Sequence, residues 1–278
     1  TVYLPSFARD GSILPGPVFP KQLRRGLRGG GRSFTSGAFS LFPTIMNYQS
    51  SNPFVSVAQA APATRAEFIR KTYMHLAMAI LAFIGFEFFL FSTGIAHQIA
   101  RFVFSMQYGF LMLLGGFMVV AWLSQSMASG SASKGKQYAG MGLYVVAEGI
   151  IFAPILLLAA TQAQGVITSA ATMTLLLFGG LTATVFMTRK DFSFLRSALT
   201  MGGFAALGLI ACSFIFGIQL GTWFSVAMIL FASGAILYTT SKIMNDYSED
   251  QYVGASVELF ASVAMLFWYI LRLFMSRD

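Results

Sequence analysis

The chain has 278 residues, 56% hydrophobic and only 10% charged, with a mean hydropathy of +0.70. A soluble domain, with about 25% charged residues, can cover its surface with polar groups and this chain cannot. The net charge of +8 does not argue for nucleic acid, because much of the excess sits in residues 1–45, where Arg9, Lys21, Arg24, Arg25, Arg28 and Arg32 face one acid, Asp10.

That tail carries prolines and the run GLRGGGRS with no sustained periodicity, so it is expected to be disordered. The first methionine is Met46, and the polar stretch after it looks like a bacterial amino terminus. Residues 1–45 then read as upstream or added sequence, or as an Arg-rich, acid-poor organellar transit peptide. Residues 46–71 form a polar amino-terminal segment, and 72–278 form the membrane domain.

Seven apolar stretches follow, each of about 20 residues, the length a hydrocarbon core demands. They lie near 72–92, 107–126, 138–161, 168–187, 197–217, 221–241 and 252–274, joined by short connections such as 93–106 and 127–137. With the amino terminus inside, Arg65, Arg70, Lys71, Lys134, Lys136, Arg189, Lys190, Arg196 and Lys242 collect on the cytoplasmic side. Arg101, Arg272 and Arg277 collect opposite, so the carboxy terminus lies outside.

Three spans carry an acid. Glu87, near the outer end of the first, is placed to snorkel to the interface. Glu148 falls roughly 15 Å into the third, about the bilayer midplane. An ionisable group there costs ~3 kcal/mol on insertion scales. It is either a proton- or ion-handling group or a protonated acid that holds a neighbouring helix by a hydrogen bond. Glu258 lies about 9 Å up the seventh span, one turn before Ser262 on the same face. Pro154 frees a backbone carbonyl above Glu148, which suits a polar cavity. Cys212 reads as a small packed hydrophobe, and two His with no Cys/His cluster name no metal site.

The stretches FIRKTYMHLAMAILAF (68–83), FMTRKDFSFLRSAL (186–199) and ILYTTSKIMNDYSEDQYVGASVELFASVAMLFWYILRLF (236–274) together resemble the Bax inhibitor-1 family, in bacterial-type members, over residues 60–278. The resemblance implies an all-α bundle of seven transmembrane helices with the seventh central among six. It also implies a pH-sensitive calcium leak latched by two proton-sharing aspartates. Those positions are Thr239, in Tyr238-Thr239-Thr240, and Ser262 here, so both aspartates are absent.

Glu258, one turn below Ser262, and Glu148, at the depth of Ser262, offer a substitute acid pair with Thr239 and Ser262 hydroxyls nearby. Two close carboxylates in low dielectric cannot both stay charged, and calcium takes such oxygen ligands. Asp246, Glu249 and Asp250 are placed to flank a cytoplasmic mouth. Calcium is then cargo, and no cofactor is expected.

Bacterial family members are also associated with a membrane-bound AAA protease as substrates or modulators. For that role an accessible segment at 46–66 matters more than Glu148. No HExxH, nucleotide loop or Ser-His-Asp set points to an enzyme. The expected setting is a lipid bilayer, the bacterial inner membrane or else an organellar one.

Overall fold

The computed structural model describes residues 56–128, 133–162 and 165–276. The expected tail over 1–45 and the start at Met46 lie outside the described residues. The described chain is helical: α1 (Pro62–Ser92), α2 (Ile95–Ser105), α3 (Gly109–Ala128), α4 (Lys134–Gln162), α5 (Val166–Thr188), α6 (Leu195–Phe216), α7 (Thr222–Asn245) and α8 (Tyr252–Met275). Seven of these, all but α2, are long and apolar enough to cross a membrane.

The helices outrun the apolar stretches at the end that carries Arg65, Lys71, Lys134, Lys190 and Lys242, called the basic end below. α1 begins at Pro62 rather than 72, α4 at Lys134 rather than 138, and α7 runs to Asn245 rather than 241. Hydropathy locates the lipid-crossing part of a helix and not its end. Pro62 occupies the first turn of α1, where the missing N–H costs nothing.

The connection 93–106 is not a plain loop but contains α2. Gly94 turns the chain with φ of 75°, a value glycine adopts without strain. Ala96, Ala100 and Val103 then recur at helical spacing on the buried side, while His97, Arg101 and Phe104 are exposed. A span-length hydropathy window averages such a two-faced helix away.

α8 lies against α1, α3, α4, α5 and α7, a central placement. α4 is enclosed together with it: 61% of the most apolar 18-residue window of α4 and 56% of that of α8 are buried, against 6% for α3 and for α6. The interior is therefore a pair of helices running in parallel. Tyr144 packs on Phe260 at 6.0 Å between ring centres, and Phe152 packs on Phe267 at 5.6 Å and Trp268 at 5.0 Å. Edge-to-face and stacked rings of this kind add to the area they bury. Cys212, expected to be packed, is exposed on α6.

Candidate functional site

A cavity of about 1340 Å³ lies between α3, α4, α6, α7 and α8. Glu148 of α4, Thr239 of α7, and Glu258 and Ser262 of α8 all line it. Its remaining wall is mostly apolar, with Leu199, Ala206 and Ile210 of α6 closing one side.

Depth follows from register. Tyr138 and Tyr252 both pack on His75, at 5.6 and 5.0 Å between ring centres, so α4 and α8 are level there. Glu148 and Ser262 each lie ten residues further along, which puts them at one depth. The ring contacts of Tyr144 with Phe260 and of Phe152 with Phe267 bracket that level.

Glu148 is 5% exposed. Its side-chain partner is Tyr144, one turn earlier on α4, and its Oε2 has no partner. Ser262 Oγ donates to the carbonyl of Glu258 at 3.1 Å, which ties the hydroxyl back to its own helix.

Glu258 has other partners than the expected acid. Lys242 Nζ donates to both its carboxylate oxygens, at 3.1 and 2.8 Å, and the Tyr247 hydroxyl donates to Oε2. Burial and the Glu258 charge push the Tyr247 phenol up, so it keeps its proton and serves as the donor. The Glu148–Glu258 pair expected from the sequence is thus not formed. The two carboxyls share a cavity, but a lysine has taken the place opposite Glu258.

Asp246, Glu249 and Asp250 are exposed and stand apart from the cavity lining. Asp250 instead meets Lys134, whose Nζ lies 3.8 Å from Oδ1 and donates to its backbone carbonyl at 2.7 Å. None of the three acids belongs to the cavity lining. Among the described residues, no three His, Cys, Asp or Glu side chains gather to hold a metal.

Glu87 does not snorkel. It is 7% exposed, and neither carboxyl oxygen has a partner. The cause is Gly149: a Cβ there would stand 2.4 Å from Phe86 Cδ1 and 3.5 Å from Glu87 Oε1, so a missing side chain lets α1 close on α4. One turn further on, Leu90 packs with Ala96 of α2 and Ala153 of α4, sealing that groove.

The turn between α5 and α6 carries a second polar cluster that sequence reasoning did not single out. Asp191 accepts from Ser193 N at 2.8 Å and Ser193 Oγ at 3.0 Å, and Ser241 Oγ of α7 lies 3.4 Å away. Phe192 N donates to Ser241 Oγ at 3.0 Å, which fastens the turn to α7. The Ser193 hydrogen bonds hold the Asp191 carboxyl below its ordinary value. A carboxyl held down in the fold stabilises it above its unfolded value of about 4, and that contribution fades as pH falls through the folded value. Melting curves taken from neutral to acid pH are expected to be flatter below about pH 4 in Asp191→Asn than in the parent. Parallel curves would remove Asp191 from the account of the turn.

An all-helical membrane bundle with two interior helices and an acid-bearing cavity defines the class. The family model described as "Inhibitor of apoptosis-promoting Bax1" matches residues 65–278, and the chain belongs to this family, Bax inhibitor-1. It is similar to a Pseudomonas aeruginosa protein described as "Uncharacterized protein PA2604", 44% identical over 112 residues, which are 39% of this chain and 49% of that one. It is also similar to the Escherichia coli K12 protein named "Modulator of FtsH protease YccA", 38% identical over 134 residues, 47% of this chain and 61% of that one. In Escherichia coli O6:H1 a protein matched to the same extent is named "Inner membrane protein YccA". The matched part of the chain thus spans about half to three-fifths of these curated relatives, 49% and 61%.

Proposed function

We propose that the chain is an inner-membrane protein, amino terminus in the cytoplasm, that modulates a membrane-bound AAA protease of the FtsH type. The similarity to the modulator YccA carries this reading. The site supports it by what has become of its charge. The two acid positions of the resemblance are Thr239 and Ser262, and Glu258 is neutralised by Lys242, so the cavity holds no free acid pair for a divalent ion. The basic residues at one end of the bundle support this orientation, in which Val57 and the start of α1 face the protease's side.

The test is reconstitution of the chain with an FtsH-type protease in liposomes, reading turnover of a membrane substrate. A several-fold change in turnover, with co-purification of the two proteins, is the expected result. Unchanged turnover without co-purification rejects the reading.

One observation favours a second reading, a passive path for cations with calcium as cargo: Glu148 is buried, lines the cavity and has a carboxyl oxygen without a partner. Intramembrane acids in wet cavities commonly mark ion or proton routes. If calcium crosses in liposomes, its flux is expected to vary with pH in the parent and to lose that dependence in Glu148→Gln, which keeps size and hydrogen bonding. No flux in the parent, or an unchanged pH profile in the variant, ends this reading.

A further inference from the structure

The contact between Lys242 and Glu258 has the form of an occupied cation site. One ammonium spans both carboxylate oxygens, at 3.1 and 2.8 Å, and stands 4.9 Å from the centre of the Tyr247 ring. Tyr247 adds its hydroxyl to the same carboxylate. Its own position is fixed from two sides, by Val57 N donating to its carbonyl at 2.8 Å and by the Phe68 ring at 6.3 Å.

The site adjoins the cavity at its basic end. Glu258 lines the cavity with Ser262 and Thr239, whereas Lys242 reaches Glu258 from outside that lining. Lys242 lies three residues past Thr239, and Glu258 lies four before Ser262. α7 and α8 run antiparallel, so both steps are one helical turn toward the basic end. A carboxylate with hydroxyl oxygens at hand and an aromatic face beside it is what a small hard cation or an ammonium seeks. Lys242 and Glu258 are each 30% exposed. Removing the lysine would leave a half-buried carboxylate without counter-charge, a state that recruits a cation from solution.

We propose that Glu258 and Tyr247, beside the Ser262–Thr239 wall, form a cation-binding site whose resident occupant is the Lys242 ammonium, a tethered cation held at the edge of the cavity. This assignment rests on the geometry of the Lys242–Glu258–Tyr247 contact and on neither functional reading above. Lys242 thereby competes with dissolved cations: a divalent ion takes up the Glu258 carboxylate only when the lysine leaves it.

The experiment is Mn²⁺ binding by the purified full chain in detergent at neutral pH, read from the loss of the free-ion electron paramagnetic resonance signal. Lys242→Met is expected to bind one ion on the order of tenfold more tightly than the parent. Lys242→Arg and the double variant Lys242→Met with Glu258→Gln should both behave as the parent does. Equal binding by parent and Lys242→Met, or binding that survives in the double variant, overturns the proposal. A second arm needs no lysine substitution. Acetylation of Lys242, measured by peptide mass spectrometry against exposed Lys190, should be slow in the parent and rise on the order of tenfold in Glu258→Gln. Equal rates in the two proteins also overturn it.

Discussion

Replacing Gly149 with leucine is expected to lower the melting temperature of the purified protein by several degrees. The same replacement at Gly115 should leave it nearly unchanged. At Gly149 even a Cβ would press into Phe86, at 2.4 Å, whereas nothing lies within 4 Å of one at Gly115. The first-formed contact is with a ring packed between helices rather than with a freely swinging side-chain end, so α1 must move away from α4. Overpacking of this kind costs about 1–3 kcal/mol. Here it carries a second penalty, because separating the helices admits water or lipid to Glu87, which the close packing encloses. Equal melting temperatures for the two variants would show that α1 and α4 do not depend on this approach.

The amount of this architecture legible in the sequence differs from residue to residue for physical reasons. The seven spans were legible because a lipid-crossing helix must carry some twenty apolar residues whatever it packs against. The depth of Glu148 relative to Ser262 was legible too, since rise per residue is fixed once two helices start level. Partnership was not. Lys242 counted as a loop charge, and only the antiparallel pairing of α7 with α8 brings its ammonium onto Glu258. A signal was present in the one-turn offset of Lys242 from Thr239 and of Glu258 from Ser262, but it selects a partner only after the helices are adjacent. Glu87 was misplaced because its fate depends on a glycine in another helix. α2 escaped because its apolar stripe is narrow and short. Asp191 lies within FMTRKDFSFLRSAL, yet its role as the fastener of a turn depends on Ser241, far along the chain.

Val57 marks where the amino-terminal segment meets the bundle, and replacing it with aspartate is expected to release that segment without unfolding the membrane domain. The segment 46–66, expected from the sequence to be accessible, is held at this point: Val57 is 0% exposed. It packs in one core cluster with Phe68 and Val253, and its N–H donates to the carbonyl of Tyr247 at 2.8 Å. An unpaired carboxylate in that pocket costs at least about 2–3 kcal/mol. A short turn of Val57–Gln59 at the edge of the bundle has less stability than that to lose before it opens locally. Limited proteolysis of the variant should therefore cut ahead of Pro62 on the order of tenfold faster than in the parent, while the main melting transition stays in place. The same variant bears on the protease reading. A segment freed from its anchor offers an AAA protease more chain to engage, so in liposomes the variant should be consumed faster than the parent. Faster chymotrypsin cleavage, at sites such as Phe54, without faster consumption would place the protease contact elsewhere on the chain, and unchanged cleavage would show that Val57 is not the anchor.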